Sequence, residues 1–392
     1  MSATTRPLFA LYVIWRPSCR GGSDIAESLR RHFSGDLYQS VAEGRGVSVV
    51  YRSELVPGSS TPLPIDWEDV QETAVVVLSD ATLVDDPDWV AYVGGIARSA
   101  ETQGLPARFF PVAMDRRGLA GLKLDQQALR WDHWVGSDAD RMARLRRDLT
   151  HEFCRMLRHR LDRGQPGVEA ETAFGSYLEK VRVFISHTKH DGDGETVGRS
   201  VRDWIHDHSP LDTFFDVADI PPGLPFADVL LERIGSGAVL AVHTDSYSSR
   251  EWCRREVIAA KRRRVPMVVA DCVRHEDPRS MPYLGNVPVV RMEPGQADRI
   301  DAVAGRLLDE VFRGWLWQCR VAPYGADAPD VLFTVRPPEL TDLAALPAGG
   351  DERAGTIVYP EPGLSTDEER LFSAIAPTIR LRTLRQWLEE RP

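Results

Sequence analysis

The sequence predicts an α/β protein built on doubly wound parallel sheets. Three observations carry that prediction. Short valine-rich runs such as residues 238–242 (AVLAV) and 265–270 (VPMVVA) have the continuous apolar character of strands covered on both faces. These runs alternate with stretches whose apolar residues recur at helical spacing, the order that builds a parallel sheet. The alternation also occurs twice, as a duplication of about 165 to 172 residues per copy, so each copy is a domain and not a solenoid unit.

The first copy opens with a strand at residues 9–15 (FALYVIW). A helix over 24–33 follows, with Ile25, Leu29 and Phe33 on one face. Strands at 47–51, 75–78 (VVVL) and 109–114 come next, with a helix over 89–97 between the last two. An arginine-rich helix over about 139–161 closes this domain, assigned to residues 7–162, and the Arg163-Gly-Gln-Pro-Gly167 stretch starts a linker over 163–180. The second domain covers 181–320. It repeats the first strand at 181–186 (VRVFIS) and places a helix over 196–206 with Val197, Val201, Trp204 and Ile205 inward. Residues 213–216 (TFFD) match 47–51, and the loop reading DIPPG matches ELVPG of the first copy. The helix over 299–319 carries an apolar stripe of Ile300, Val303, Leu307, Leu308, Val311 and Phe312. Residues 322–330 (APYGADAPD) read as a linker. The remainder, 331–392, is a small α/β tail with strands VLFTV and TIVY and a helix opening at Ser365 with a capping box to Glu368. It is too short for a catalytic domain and reads as an interaction module.

Composition narrows the function. At 392 residues the chain suits two or three domains, and its 43% hydrophobic content is ordinary for a globular protein. No run reaches the ~18 to 20 apolar residues that span a bilayer, and no cleavage pattern follows the N-terminal apolar run. A net charge of −10 gives no general attraction to nucleic acid or anionic lipid. The basic runs at 261–264 and 155–163 are read as solvated helix faces. Five scattered cysteines without a CxxC pair point to a reducing, cytoplasmic setting and no zinc ribbon. His187, His190, Asp191 and Asp193 share one loop without distant ligands, so no metal site is assigned, and Cys253 reads as a small buried hydrophobe.

Residues 238–271 concentrate the chemistry. Ser248 and Ser249 are N-cap candidates for a helix whose first turn holds Glu251. Within it, Trp252 and Glu256 lie four apart and so share a face beyond a strand's carboxyl end, where open α/β sheets bind ligands. A flat ring and a carboxylate there suit a ligand with an aromatic group and a sugar. Ser186, at the carboxyl end of the 181–186 strand, can reach a hydroxyl or amide. The same residues also suit a structural role: Glu256 as a solvated ion-pair partner, Trp252 as core, Ser249 as a helix cap, Asp216 as a turn cap. No GxGxxG fingerprint, phosphate loop or Ser-His-Asp order is present.

On the segments VFISHTKHDG, FFDVADIPPG, SSREWCRREV and PYLGNVPVVR, the second domain resembles the Toll/interleukin-1 receptor (TIR) family. The resemblance implies a flavodoxin-like five-stranded parallel sheet in each copy. It further implies NAD+ as substrate and not as bound cofactor, cleaved at the nicotinamide–ribose bond by a glutamate in the position of Glu256, with Trp252 one turn before it. Phe184, Asp216 and Ser249 are expected to line the pocket. Asp219, Pro221, Pro222 and Gly223 fall in the family's assembly loop, which implies homo-oligomerisation. The setting implied is bacterial antiphage or immune signalling, with an activating partner received by the tail. Capture of the ribose by water or by an adenine nitrogen separates hydrolase from cyclase, and a non-catalytic scaffold is the alternative. The first copy resembles a degenerate member, because the position equivalent to Glu256 is Val93.

Overall fold

The computed structural model describes residues 6–122, 126–163, 170–189, 192–214, 237–293, 297–325, 327–346 and 355–391. The chain divides into two compact units, Met1–Tyr177 and Leu178–Pro392. The boundary falls within the stretch read as a linker, because Ala170–Leu178 is helical.

In the first unit, strands β1 (Phe9–Trp15), β2 (Ser48–Arg52), β3 (Glu72–Ser79) and β4 (Ala107–Ala113) form an all-parallel sheet in the order β2-β1-β3-β4. Both β1 and β3 are buried along their full length, which is why they read as unbroken apolar runs. The expected fifth strand is a correction: among the described residues this sheet has four. After β4 the described residues return as one parallel bridge, Val112 to Leu129, then tighten into a 3-10 turn at Trp131–His133. The long helix Asp138–Arg163 closes the unit. Its Phe153 is fully buried against Phe9, Phe33 and Phe110, with ring centroids 5.1, 5.2 and 5.9 Å away. Phe153→Ala is therefore expected to cost about 3–5 kcal/mol, read as a lowered urea midpoint for this unit.

The basic run at 155–163 is not a solvated face. Arg160 and Arg163 reach the fully buried Glu72, at 3.3 and 3.6 Å. Burial pushes the Glu72 pKa up to about 7 despite these guanidinium groups, which act to lower it.

In the second unit, β5 (Arg182–Ser186), β6 (Asp212–Phe214), β7 (Ala238–His243), β8 (Met267–Asp271) and β9 (Val289–Arg291) form a parallel sheet in the order β6-β5-β7-β8-β9. This is the flavodoxin-like 2-1-3-4-5 order, and the direction of winding reverses between β5 and β7. The first sheet has the same order, one strand short. The offset that carries Trp252 onto Trp89 carries Ala241 onto Leu78, whose ladder partner is Trp15 as Ala241's is Ser186.

The helix Ala297–Gly325 buries the expected stripe from Ile300 to Phe312. It extends past the expected boundary, through Pro323, into residues read as linker. Pro323 gives up one amide hydrogen bond to the carbonyl four residues earlier, and the helix ends two residues after it.

The tail forms a third parallel sheet, β10 (Val331–Phe333), β11 (Gly355–Tyr359) and β12 (Ile379–Thr383), in sequential order. The Ser365 capping box on helix Thr366–Ile375 is present as expected. This module is seated on the five-stranded domain by polar contacts. Lys261 Nζ bonds Glu339 at 2.6 Å and the Gly285 carbonyl at 2.7 Å, so the 261–264 run also departs from a solvated face at its first residue. Arg336 pairs with Glu310, and Asn286 donates to the Pro337 carbonyl at 2.7 Å. No helix among the described residues is long and apolar enough to cross a membrane.

Candidate active site

The switch point lies between β5 and β7 at their carboxyl ends, and two features of the sequence converge on it. Ser186 is the last residue of β5, so its side chain sits at the rim of the sheet. The helix Glu251–Arg262 follows β7 and turns Cys253, Glu256, Val257 and Ala260 inward. Those positions are spaced i, i+3, i+4, i+7, the stripe a helix lays on a sheet. Glu256 is thus the one acidic group in an otherwise apolar stripe, and it is only 5% exposed.

Its carboxylate is hydrogen-bonded. Ser186 Oγ donates to Oε2 at 2.5 Å, and the Trp252 side chain supplies a second hydrogen bond. Burial pushes the Glu256 pKa up to about 7, while Ser186, Trp252 and the Lys189 ammonium act to lower it. Trp252 itself is 39% exposed, its ring covered on one face by the Arg255 guanidinium at 5.7 Å. A half-open indole beside a buried carboxylate has the two surfaces that a stacked ring and an adjoining sugar require.

The remaining expected residues divide. Phe184 is buried in the core with Val239, Tyr247 and Cys253, beneath the site and not lining open space. Ser249 is exposed on the 3-10 turn Tyr247–Ser249 and caps nothing. The N-cap is Arg250, without a side-chain cap, which corrects the assignment to Ser248 or Ser249. Ser248 turns inward instead, donating to Asp277, and Asp277 also meets His243 Nε2 at 2.8 Å. Burial acts to raise the Asp277 pKa, but the Ser248 and His243 hydrogen bonds outweigh it and hold the group below its ordinary range. Asp216, Asp219, Pro221, Pro222 and Gly223 lie outside the described residues, as do His190 and Asp191. Trp204 is only partly buried and stacks on His208 at 5.6 Å.

One site residue escaped the sequence. Tyr247 is fully buried, and its phenol oxygen lies 2.6 Å from Ser186 Oγ. A tyrosine just after a valine-rich strand and just before the helix was the available signal, but its spacing to Ser186 is visible only once β5 and β7 are paired.

An open parallel sheet with a polar cluster at its switch point defines the class: a flavodoxin-like α/β domain. The family model described as the TIR domain matches residues 183–308, the stretch that holds this five-stranded sheet. Among solved structures, the chain is similar to the TIR domains of the activated Roq1 resistosome directly recognising the pathogen effector XopQ. The identity is 18%, over 34% of this chain and 84% of that one, with a TM-score of 0.20. It is also similar to tagatose-6-phosphate ketose/aldose isomerase from Escherichia coli, at 14% identity over 81% of this chain and 84% of that one, with a TM-score of 0.20. No curated protein matches the chain.

Proposed function

We propose that the TIR domain cleaves NAD+ at the nicotinamide–ribose bond, with Glu256 as the catalytic carboxylate and Trp252 as the stacking surface. The observation that carries this reading is a nine-tenths buried carboxylate at the switch point, held by Ser186 and flanked by a half-exposed indole. In the reaction, the C1′–N bond breaks and its electron pair leaves with nicotinamide, which becomes neutral. Positive charge develops on C1′ and the ring oxygen, and the ionised Glu256 offsets it at close range in a low-dielectric site. Water then adds at C1′ and releases a proton, giving ADP-ribose. Capture by an adenine nitrogen would instead give a cyclic product. Because nicotinamide leaves from an already cationic ring, no general acid is needed.

Only the ionised carboxylate stabilises the cation, so nicotinamide release is expected to rise with pH through about 7 and level off above it. A rate that stays flat from about pH 5.5 to about pH 8.5 contradicts the assignment.

The closed geometry around Glu256 also supports dependence on assembly. A carboxylate this buried needs a shift of the surrounding loops to meet a ribose, and side-by-side association of TIR domains would supply one. Specific activity is expected to climb with protein concentration. The same burial favours a second reading, a non-catalytic scaffold in which Glu256 only ties the helix to β5; nicotinamide release separates the two.

The first unit is proposed as a non-catalytic partner of the second. At the positions equivalent to Ser186, Tyr247 and Glu256 it carries Trp15, Val84 and Val93, and a valine in place of Glu256 can neither hold a hydroxyl nor offset a cation. The tail module is proposed to receive an activating partner, and the biological setting proposed is immune signalling against phage.

A further inference from the structure

We infer that Tyr247 is a positioning residue for Glu256, acting through Ser186 as a directional hydrogen-bond relay. This rests on the reading of Glu256 as the charged group of the proposed reaction. Ser186 Oγ stands 2.6 Å from the Tyr247 phenol oxygen and 2.5 Å from Glu256 Oε2. A serine hydroxyl has one hydrogen, and an ionised carboxylate can only accept. The Ser186 hydrogen therefore goes to Glu256, and Tyr247 must donate to Ser186. The phenol is a permanent donor, because burial, followed by Cys253 and Glu256, pushes its pKa well above the ordinary value. With its lone pair engaged by Tyr247, the Ser186 hydroxyl is both polarised and locked in rotation toward the carboxylate.

The phenol is well held. Its ring packs in the core with Phe184, Cys253 and Val257, and the His243 ring meets it edge-on at 5.7 Å. His243 is in turn fixed by Asp277, which also holds Ser248, the residue after Tyr247. The charged and titratable groups facing the pair are Lys189 from the loop after β5, Cys253 on the helix, and His243 at the end of β7, with Trp252 as a neutral hydrogen-bond donor.

The test is a carbon-detected NMR titration of the Glu256 carboxyl in the full chain, beside nicotinamide release across the same pH range. In Tyr247→Phe, which keeps the ring, the Glu256 titration is expected to move up by about one pH unit. The rate should fall about tenfold near pH 6 yet recover to that of wild type near pH 9.5, with KM unchanged, where a packing defect would lower it at every pH. Adding Tyr247→Phe to Ser186→Ala should change nothing further, because the relay is already cut. An unmoved titration in Tyr247→Phe overturns the inference, and so does additivity with Ser186→Ala. If the titration moves while neither protein releases nicotinamide, the relay stands and the NAD+ reading falls.

Discussion

Glu256→Gln is expected to make the protein more stable at pH 8 by about 3 kcal/mol at most, while removing its activity. The folded-state pKa of Glu256 is raised to about 7 from an ordinary value of 4.5. Below pH 4.5 both folded and unfolded chains hold the proton, and the group contributes no difference. Between 4.5 and about 7 the unfolded chain ionises first, so stability falls as pH rises, and above about 7 the loss is complete. Glutamine remains neutral, accepts the same Ser186 hydrogen bond and avoids that loss. The two proteins should therefore match in acid and diverge through neutrality in chemical denaturation. Glu72 adds a similar downward trend, but it is present in both proteins and cancels in the comparison. A stability gap that does not grow with pH would mean the carboxylate is not strained by burial.

The second large effect is expected at Glu310, which is 3% exposed and gathers three arginines. Arg306 lies 2.6 Å away on the same helix, Arg313 is 3.7 Å away, and Arg336 reaches it from the tail module. Removing the shared acceptor leaves three poorly solvated guanidinium groups facing one another, so Glu310→Ala is expected to cost about 3–5 kcal/mol. The first event should be release of the tail, because Arg336 has its anchor there while the helix's apolar stripe stays packed. Limited proteolysis should cut the variant between the five-stranded domain and residues 331–391 well before either is degraded. Equal resistance in variant and wild type would show that the apolar contacts seat the module unaided. Lys261 is the companion tie, on the same helix as Glu256, and joins the tail's seating to the proposed active helix.

Much of this architecture was legible in the residues. The strands β1, β3, β7 and β8 follow from unbroken apolar runs, since a strand covered on both faces has no polar side to interrupt the pattern. The placement of Glu256 on the helix that follows β7 was legible as well. The expectation that it shares its face with Trp252 was only half the geometry. The inward stripe is Cys253, Glu256, Val257 and Ala260, and Trp252 stands at its edge. What the sequence hid were partners distant along the chain. Lys261 and Arg160 sit in runs of like charge that look solvated, and only the fold brings Glu339 and Glu72 to them. Tyr247 was hidden for the same reason. The serines ahead of the helix misled because their cap chemistry is used elsewhere: Ser248 serves Asp277, a contact that no helix-start rule anticipates. In the first unit, where five strands were expected, the described residues show four and return to β4 for a single bridge before the long helix begins.

The most direct measurement is nicotinamide release from NAD+ by the full chain at high protein concentration near pH 8, with Glu256→Gln alongside. The account predicts release by the wild type and a fall of about a thousandfold or more in the variant, the scale of removing a key charge-stabilising group. Equal release by the two proteins, or none from the wild type at any concentration, would contradict it.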